Sequence, residues 1–441
     1  MEQGIQILRG LLGMAAFLGI AWALSANRRA INWRLVGAGV ALQLAIGVIV
    51  LHVAPVRAAF GAVGGFFIKL MSFTNEGVEL LFGWLTHIAP GNVENLTFTQ
   101  GGPIFAVTIL PSIVFFAALT SALYRLGILQ IIVFAFAWLL SKTMKLSGAE
   151  TLSTAANIFV GQTEAPLLIR PYLSKMTRSE LLTIMVGGMA NIAGGVMAAY
   201  IIFLGGNDPA EQMRWATHLL VASVISAPAA VVISKMLVPQ TEVVDQTLQI
   251  NAEKPGANLL DAICIGTWDG VKLAVNVGAM LIVFTALVAL ANWMLADGVG
   301  AWTGLNGVIS QLTGGLYERL TLEFIFGLVG APVAWLIGVD PPHLLVAGQL
   351  LGERMVLNEF YAYLSMNKLQ ASGVLTDERT RIIMTYALCG FANIVSIGIQ
   401  IGGIGALAPN KRSELARLGW LALLGGSLSC FLMACVATML T

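Results

Sequence analysis

Eight stretches of mostly apolar residues recur along the chain, at 7–26, 35–54, 103–123, 181–205, 218–238, 271–295, 382–406 and 417–440. Each reaches the length of about 20 residues that a helix needs to cross a bilayer. Between them lie apolar pieces too short or too interrupted to cross alone, at 58–72, 78–89, 127–140, 149–168, 258–267, 321–338 and 343–357. Segment 149–168 runs apolar, breaks at Gly161-Gln162-Thr163-Glu164-Ala165-Pro166 and resumes. Segment 321–357 turns at Val339-Asp340-Pro341-Pro342 and resumes before Asn358-Glu359-Phe360. Two apolar arms around a turn predict a re-entrant hairpin, and irregular backbone survives at membrane depth only inside protein or beside a water-filled cavity. The apolar piece 60–73, with Lys69 on it, predicts a helix lying in the interface. The polar stretch 239–257 predicts a solvated loop between two halves, and 295–322 a long extracellular loop.

Each half carries a break with a carboxylate, followed by a Gly- and Ala-rich span with an amide in it. In the first half these are Glu164 and the run 187–195 containing Asn191; in the second they are Glu359 and the run 390–396 containing Asn393. Paired broken segments in corresponding positions of two halves are the pattern of inverted-repeat transporters.

Composition fixes the class. Of 441 residues 57% are hydrophobic and 11% charged, with mean hydropathy +0.84, against about 25% charged in a soluble domain. A soluble protein of this size must still cover its surface, so the deficit predicts an all-α polytopic membrane protein. The net charge of +1 gives no sign of a nucleic-acid partner. Cys264, Cys389, Cys430 and Cys435 have no metal or redox spacing and read as packing residues. The four histidines (His52, His87, His218 and His343) are scattered and read as interfacial or loop residues. The run 7–26 reads as a first span and not a secretory signal, because its basic cluster follows it. Arg28, Arg29 and Arg34, Lys142 and Lys145, Arg170, Lys175 and Arg178, and Lys411, Arg412 and Arg417 mark cytoplasmic faces. Both termini then lie outside, which eight crossings satisfy.

A charge at the bilayer centre costs at least about 2.5–3.5 kcal/mol, so an intramembrane carboxylate is by default a functional group. Gln162 donates and accepts, Thr163 does both, and Glu164 accepts. Together with the free backbone groups of a broken helix they suit the edge of a polar heterocycle better than a simple ion. Glu359 offers a second set with Asn393 and Ser396, which are three apart and share a helix face. A carboxylate suits a hydroxyl-rich group such as a sugar, and Phe391 lies near enough in sequence to meet a ring. Glu323, Glu353, Arg354 and Lys272 also stand in apolar contexts, and Glu353 and Arg354, able to pair with other charges or to snorkel, read as structural. An intramembrane enzyme using Glu164 and Glu359 as acid and base, or a channel with the breaks as its filter, are the rival readings.

Ala155-Ala156-Asn157-Ile158-Phe159-Val160 and the Gly161–Pro166 break, continuing as Leu167-Leu168-Ile169-Arg170-Pro171-Tyr172-Leu173, resemble the first hairpin of concentrative nucleoside transporters. So do Asn358-Glu359-Phe360-Tyr361-Ala362-Tyr363, the run 386–393, Ala406-Leu407-Ala408-Pro409 and the run 276–282. The resemblance runs essentially end to end and is to the bacterial members. It implies cation-coupled uptake of nucleosides (uridine, cytidine and adenosine are the class) across the cytoplasmic (inner) membrane. It also implies an elevator-type movement, no covalent chemistry and a homotrimer in the lipid bilayer. Each protomer is expected to have eight transmembrane helices, two opposed re-entrant hairpins and interfacial helices. The implied organisation is a scaffold at 1–125, a first half of the transport core at 126–238 with hairpin 1 at about 149–168, a loop and long scaffold helix at 239–300, and a second half at 301–441 with hairpin 2 at about 321–357. Carried over by motif, Gln162, Thr163, Glu164, Val196 and Phe391 contact the nucleobase, and Glu359, Asn393 and Ser396 hold the ribose. In sodium-coupled members the positions matching Asn157, Val160, Asn191 and Ile192 hold the ion. The family commonly has Ser or Thr where this chain has Asn191. An amide oxygen can ligate a hard cation but the amide also brings donors, so both Na+ and H+ stand as the coupling ion.

Overall fold

A computed structural model describes residues 2–83, 105–206, 208–247 and 255–441. The first residues of the 103–123 span, the end of the 78–89 piece with His87, and positions 248–254 of the polar loop lie outside the described residues.

Among the described residues the apolar runs fold as helices, with breaks inside 181–205 and 382–406. The first half holds α1 (Glu2–Ala23), α2 (Trp33–His52), α3 (Ala54–Phe82), α4 (Leu110–Leu126), α5 (Ile128–Met144), α6 (Gly148–Ala156), α7 (Arg178–Ala190), α8 (Gly194–Gly205) and α9 (Pro209–Leu237). The second holds α10 (Leu259–Trp293), α11 (Leu322–Leu336), α12 (Leu344–Val356), α13 (Glu359–Ala371), α14 (Glu378–Leu388), α15 (Ile394–Leu407) and α16 (Arg412–Leu440). Among the described residues seven helices are long and apolar enough to cross a membrane, or up to eight if α4 and α5, bent by 80° at Gly127, form one span.

Local sequence explains where helices start. Ser147 and Glu150 form a capping box for α6, and Thr177 with Glu180 does the same for α7. Asn358 and Asn393 cap α13 and α15, each side chain accepting a bond from the backbone N–H three residues on. These last two caps sit directly beside the breaks and decide where the helices after them begin.

The order of elements repeats. Helices α5 and α6, a break at 157–164, α7, a break at 191–193, α8 and the 29-residue α9 are matched in the second half. There α11 and α12 are followed by a break at 357–358, α13 and α14, a break at 389–393, α15 and the 29-residue α16. The long helices α9 and α16 pack on each other, α16 also against α1 and α7, and α9 against α2, α3 and α8. Helices α4 and α10 pack together. Burial separates the two groups: within the apolar window of 409–440, 89% is buried, against 11% for 259–303.

Several boundaries differ from the sequence reading. The turn expected at 339–342 is present, at Gly338 (φ +98°) and the short helix Pro341–His343. The break carrying Glu359, however, lies one helix later, so its arms are α12 and α13 and not 321–338 and 343–357. Ser365 on α13 folds back to donate to Glu353 on α12 at 3.2 Å. The piece 58–72 and the part of 78–89 up to Phe82 join in the single helix α3, and 258–267 is the first part of α10, because no breaker separates them. The expected loop 295–322 is largely helical, with a π-helical stretch Met294–Gly300 continuing α10 and a further helix Leu305–Leu312.

Candidate functional site

The four breaks converge. Gly194 N–H donates to Phe159 C=O at 3.2 Å, which ties the first hairpin tip to the start of α8. Phe391 N–H donates to Asn191 C=O at 3.3 Å, so the gaps between α7 and α8 and between α14 and α15 touch. A Cβ on Gly390 would come within 2.7 Å of Met189 O, so only glycine lets the two backbones approach this closely.

Polar side chains link the breaks in one hydrogen-bonded chain. Tyr200 Oη donates to Glu359 Oε1 at 3.2 Å, and Asn393 Nδ2 to Glu359 Oε2 at 2.9 Å. Asn393 Oδ1 accepts from Ser396 N–H at 2.9 Å. Gln162 Nε2 donates to Ser396 Oγ at 3.2 Å. Gln400 Nε2 then donates to Gln162 Oε1 and to Met185 C=O, both at 3.0 Å. Gln162, Glu359, Asn393 and Ser396 are all buried. Each carboxylate oxygen of Glu359 accepts from one of these two side chains, and a carboxylate has about four lone-pair sites with which to accept from a ligand hydroxyl as well.

Glu164 stands apart from this chain. It is exposed and lines a cavity of about 340 Å³ between the first hairpin, the start of α8, and helices α4 and α10. Val160, Val196, Phe116, Tyr124 and Asp269 share its wall. The volume lies in the range of small-molecule sites, about 300–1,000 Å³. Thr163 is half-buried, its methyl facing Gly403 on α15. Phe391 is half-buried in the 389–393 break.

Three further polar residues belong to this region. Tyr200 lies one turn after Val196 on α8, Gln400 one turn after Ser396 on α15, and Ser223 inside α9 meets Asn191. Helical spacing from the singled-out residues would have found the first two. The other candidate charges each have a partner within the fold. Glu323 accepts two bonds from Asn292 at 3.0 and 2.8 Å, joining α11 to α10. Glu353 accepts from Gln349 and Ser365. Arg354 is fully buried, donates to Ala387 C=O at 2.5 Å and Ser427 Oγ at 2.9 Å, and lies over the Phe431 ring. Lys272 pairs with Asp269 on the exposed face of α10. His218 is not in a loop but inside α9, against the Tyr386 hydroxyl at 3.3 Å.

At the positions expected to hold an ion, Asn157, Val160, Asn191 and Ile192 are brought together and buried. Asn191 Nδ2 donates to Asn157 C=O at 2.6 Å and to Ser223 C=O at 3.4 Å. Its Oδ1 accepts from Ile192 N–H and Ser223 Oγ, both at 2.8 Å. Both side-chain polar atoms of Asn157 are buried without a hydrogen-bond partner.

Long apolar helices interrupted where buried polar side chains converge define a helical membrane transporter. Three family profiles match: "Na+ dependent nucleoside transporter N-terminus" over 12–85, "Nucleoside recognition" over 106–207, and "Na+ dependent nucleoside transporter C-terminus" over 218–438. The chain belongs to the family of Na+ dependent, or concentrative, nucleoside transporters. An uncharacterized transporter of Haemophilus influenzae is 42% identical over 98% of this chain and 97% of its own length. Nucleoside permease NupC of Helicobacter pylori is 36% identical over 98% of this chain and 97% of its own. Among solved structures, CNTnw in an inward-facing substrate-bound state superposes with a TM-score of 0.87 at 37% identity, covering 99% of this chain and 98% of that one. These relatives are transporters, not enzymes.

Proposed function

We propose that this chain imports nucleosides across the bacterial cytoplasmic membrane by cation-coupled symport. The observation that carries the reading is the hydrogen-bonded chain from Tyr200 through Glu359, Asn393 and Ser396 to Gln162, which joins the breaks of both halves. In this reading Glu359, Asn393 and Ser396 hold the ribose hydroxyls, with Tyr200 and Asn393 fixing the carboxylate that accepts from them. Gln162, Thr163, Glu164, Val196 and Phe391 form the nucleobase side, and Gln400 orients the Gln162 amide. The two breaks are the tips of opposed re-entrant hairpins, α6 with 165–173 and α12 with α13. The repeated order of elements around them supports an inverted repeat. Both termini face outward, the active unit is a homotrimer, and the hairpins with α7–α9 and α14–α16 move together as an elevator.

The test is uptake of labelled uridine and adenosine into proteoliposomes, with sodium replaced by choline and, separately, with a pH gradient imposed. Accumulation above the external concentration is expected under a cation gradient. Equilibration without accumulation points to a channel, and recovery of altered substrate to an enzyme; either result overturns the reading. Glu359→Gln removes the charge that accepts from the ribose. A hydrogen bond to a charged group contributes about 1.5–3 kcal/mol, so uridine affinity is expected to fall about ten- to a hundredfold. Unchanged affinity in that variant removes Glu359 from the ribose site.

A further inference from the structure

We infer that the side-chain amide of Asn191 takes the place of the coupling sodium at the first hairpin tip, making this chain a sodium-independent member of its family. The inference rests on the nucleoside-transport reading for its physiological meaning, but not for its test. The amide makes four hydrogen bonds: Nδ2 to Asn157 C=O and Ser223 C=O, and Oδ1 from Ile192 N–H and Ser223 Oγ. That uses both donors and both acceptor lone pairs of the group. Its orientation follows from its partners. Turning it over would set the NH2 against the Ile192 N–H, donor to donor, and Oδ1 against two carbonyl oxygens.

The consequence is electrostatic. The two carbonyls facing the Asn191 side chain point at the positive end of its N–H bonds. A cation held by the Asn157 carbonyl would meet that same positive end at close range. Asn157 Oδ1 is buried without a partner, as are the Ser153 and Thr154 hydroxyls on α6, but none of them draws the Asn191 NH2 away from the two carbonyls it faces. Hard cations take several oxygens at once, and two carbonyls that would serve are held by the Asn191 NH2, whose positive end would face the ion, so the donor set does not fit sodium. A Ser at 191 would remove the NH2 and leave the Asn157 and Ser223 carbonyls to face a cation.

The measurement is the melting temperature of the purified full-length protein in sodium chloride against choline chloride, without nucleoside, followed by uridine binding in the same two salts. The wild type is expected to melt at the same temperature in both and to bind uridine equally well. Asn191→Ser, with Asn191→Thr as a second variant, is expected to acquire a sodium-specific rise in melting temperature. In these variants sodium should tighten uridine binding by about tenfold, an ordinary size for coupling between two ligands. A sodium-specific rise in the wild type overturns the inference whether or not the variants fold. Folded variants that stay indifferent to sodium overturn the role given to Asn191. A wild type that binds no nucleoside in either salt counts against the transport reading alone, since the melting comparison stands without substrate.

Discussion

Lys235 meets Glu150 at 2.7 Å with both side chains almost wholly buried, at 5% and 1% exposure, and donates also to Ser179 Oγ. The pair joins the entry of the first hairpin to α9 and α7. Removing one member of a buried pair strands the other charge and typically costs about 3–5 kcal/mol, whereas removing both is often close to neutral. Lys235→Met is therefore expected to lower the melting temperature in detergent sharply, and Lys235→Met combined with Glu150→Gln to recover most of the loss. Equal losses in the single and double variants would show that the charge pair is not what matters. Lys235 was detectable in the sequence as the only charge in the 218–238 span, but its partner was not, because Glu150 reads equally well as a helix-capping residue. The same limit applies to the candidate site. Glu164, Glu359 and Asn393 stand out as polar groups in apolar sequence, while Ser223 is one small hydroxyl among many and gains its role only by meeting Asn191.

At the scale of elements, the breaks were legible and the arms around them were not. Gly161 and Pro166 interrupt one helix, and the Asn caps start others, so the places where backbone groups come free follow from local chemistry. Helix α13 escaped because Ser365, Asn367, Lys368 and Gln370 leave it no clear apolar stripe. It forms by tertiary packing instead, with Tyr363 stacked on Tyr200 at 4.3 Å and Phe360 edge-on to the same ring at 5.1 Å. The hairpin of α11 and α12 depends on the opposite feature, missing side chains. A Cβ on Gly330 would lie 2.4 Å from Gly348 O, and one on Gly348 2.4 Å from Gly327 O. Both obstacles are backbone, so neither can rotate away. Gly348→Ala is expected to destabilise by roughly 1–3 kcal/mol, the usual range for overpacking. Gly37→Ala on α2, where a Cβ meets nothing within 4 Å, is expected to be neutral or to stabilise by about 0.5–1 kcal/mol. Thermal unfolding of the two variants side by side checks the contrast; equal shifts would mean that the glycines do not set the approach of α11 and α12.

For the molecule as a whole, elevator transport requires the first hairpin and α8 to slide along α4 and α10, because the cavity holding Glu164 lies between these two groups. The contact that must part is specific. An ideal Cβ on Gly195, in the first turn of α8, lies 3.2 Å from the Cβ of Phe116 on α4, and Phe116 stacks on Phe67 of α3 at 4.8 Å. Disulfides form between residues whose Cβ atoms are about 3.5–4.5 Å apart, so a small relaxation allows a bond between Phe116→Cys and Gly195→Cys. Of the native cysteines only Cys264 is exposed, so replacing it by Ser gives a clean background. Oxidation of the double variant is expected to form an intramolecular disulfide and to abolish uridine uptake, and a reductant to restore uptake. Each single-cysteine variant tests the effect of its own substitution and should be insensitive to oxidation. A cross-linked protein that still accumulates uridine would mean that α8 need not move past α4, and the rigid movement of hairpin and broken helix as one body would have to give way to a local opening of the hairpin alone.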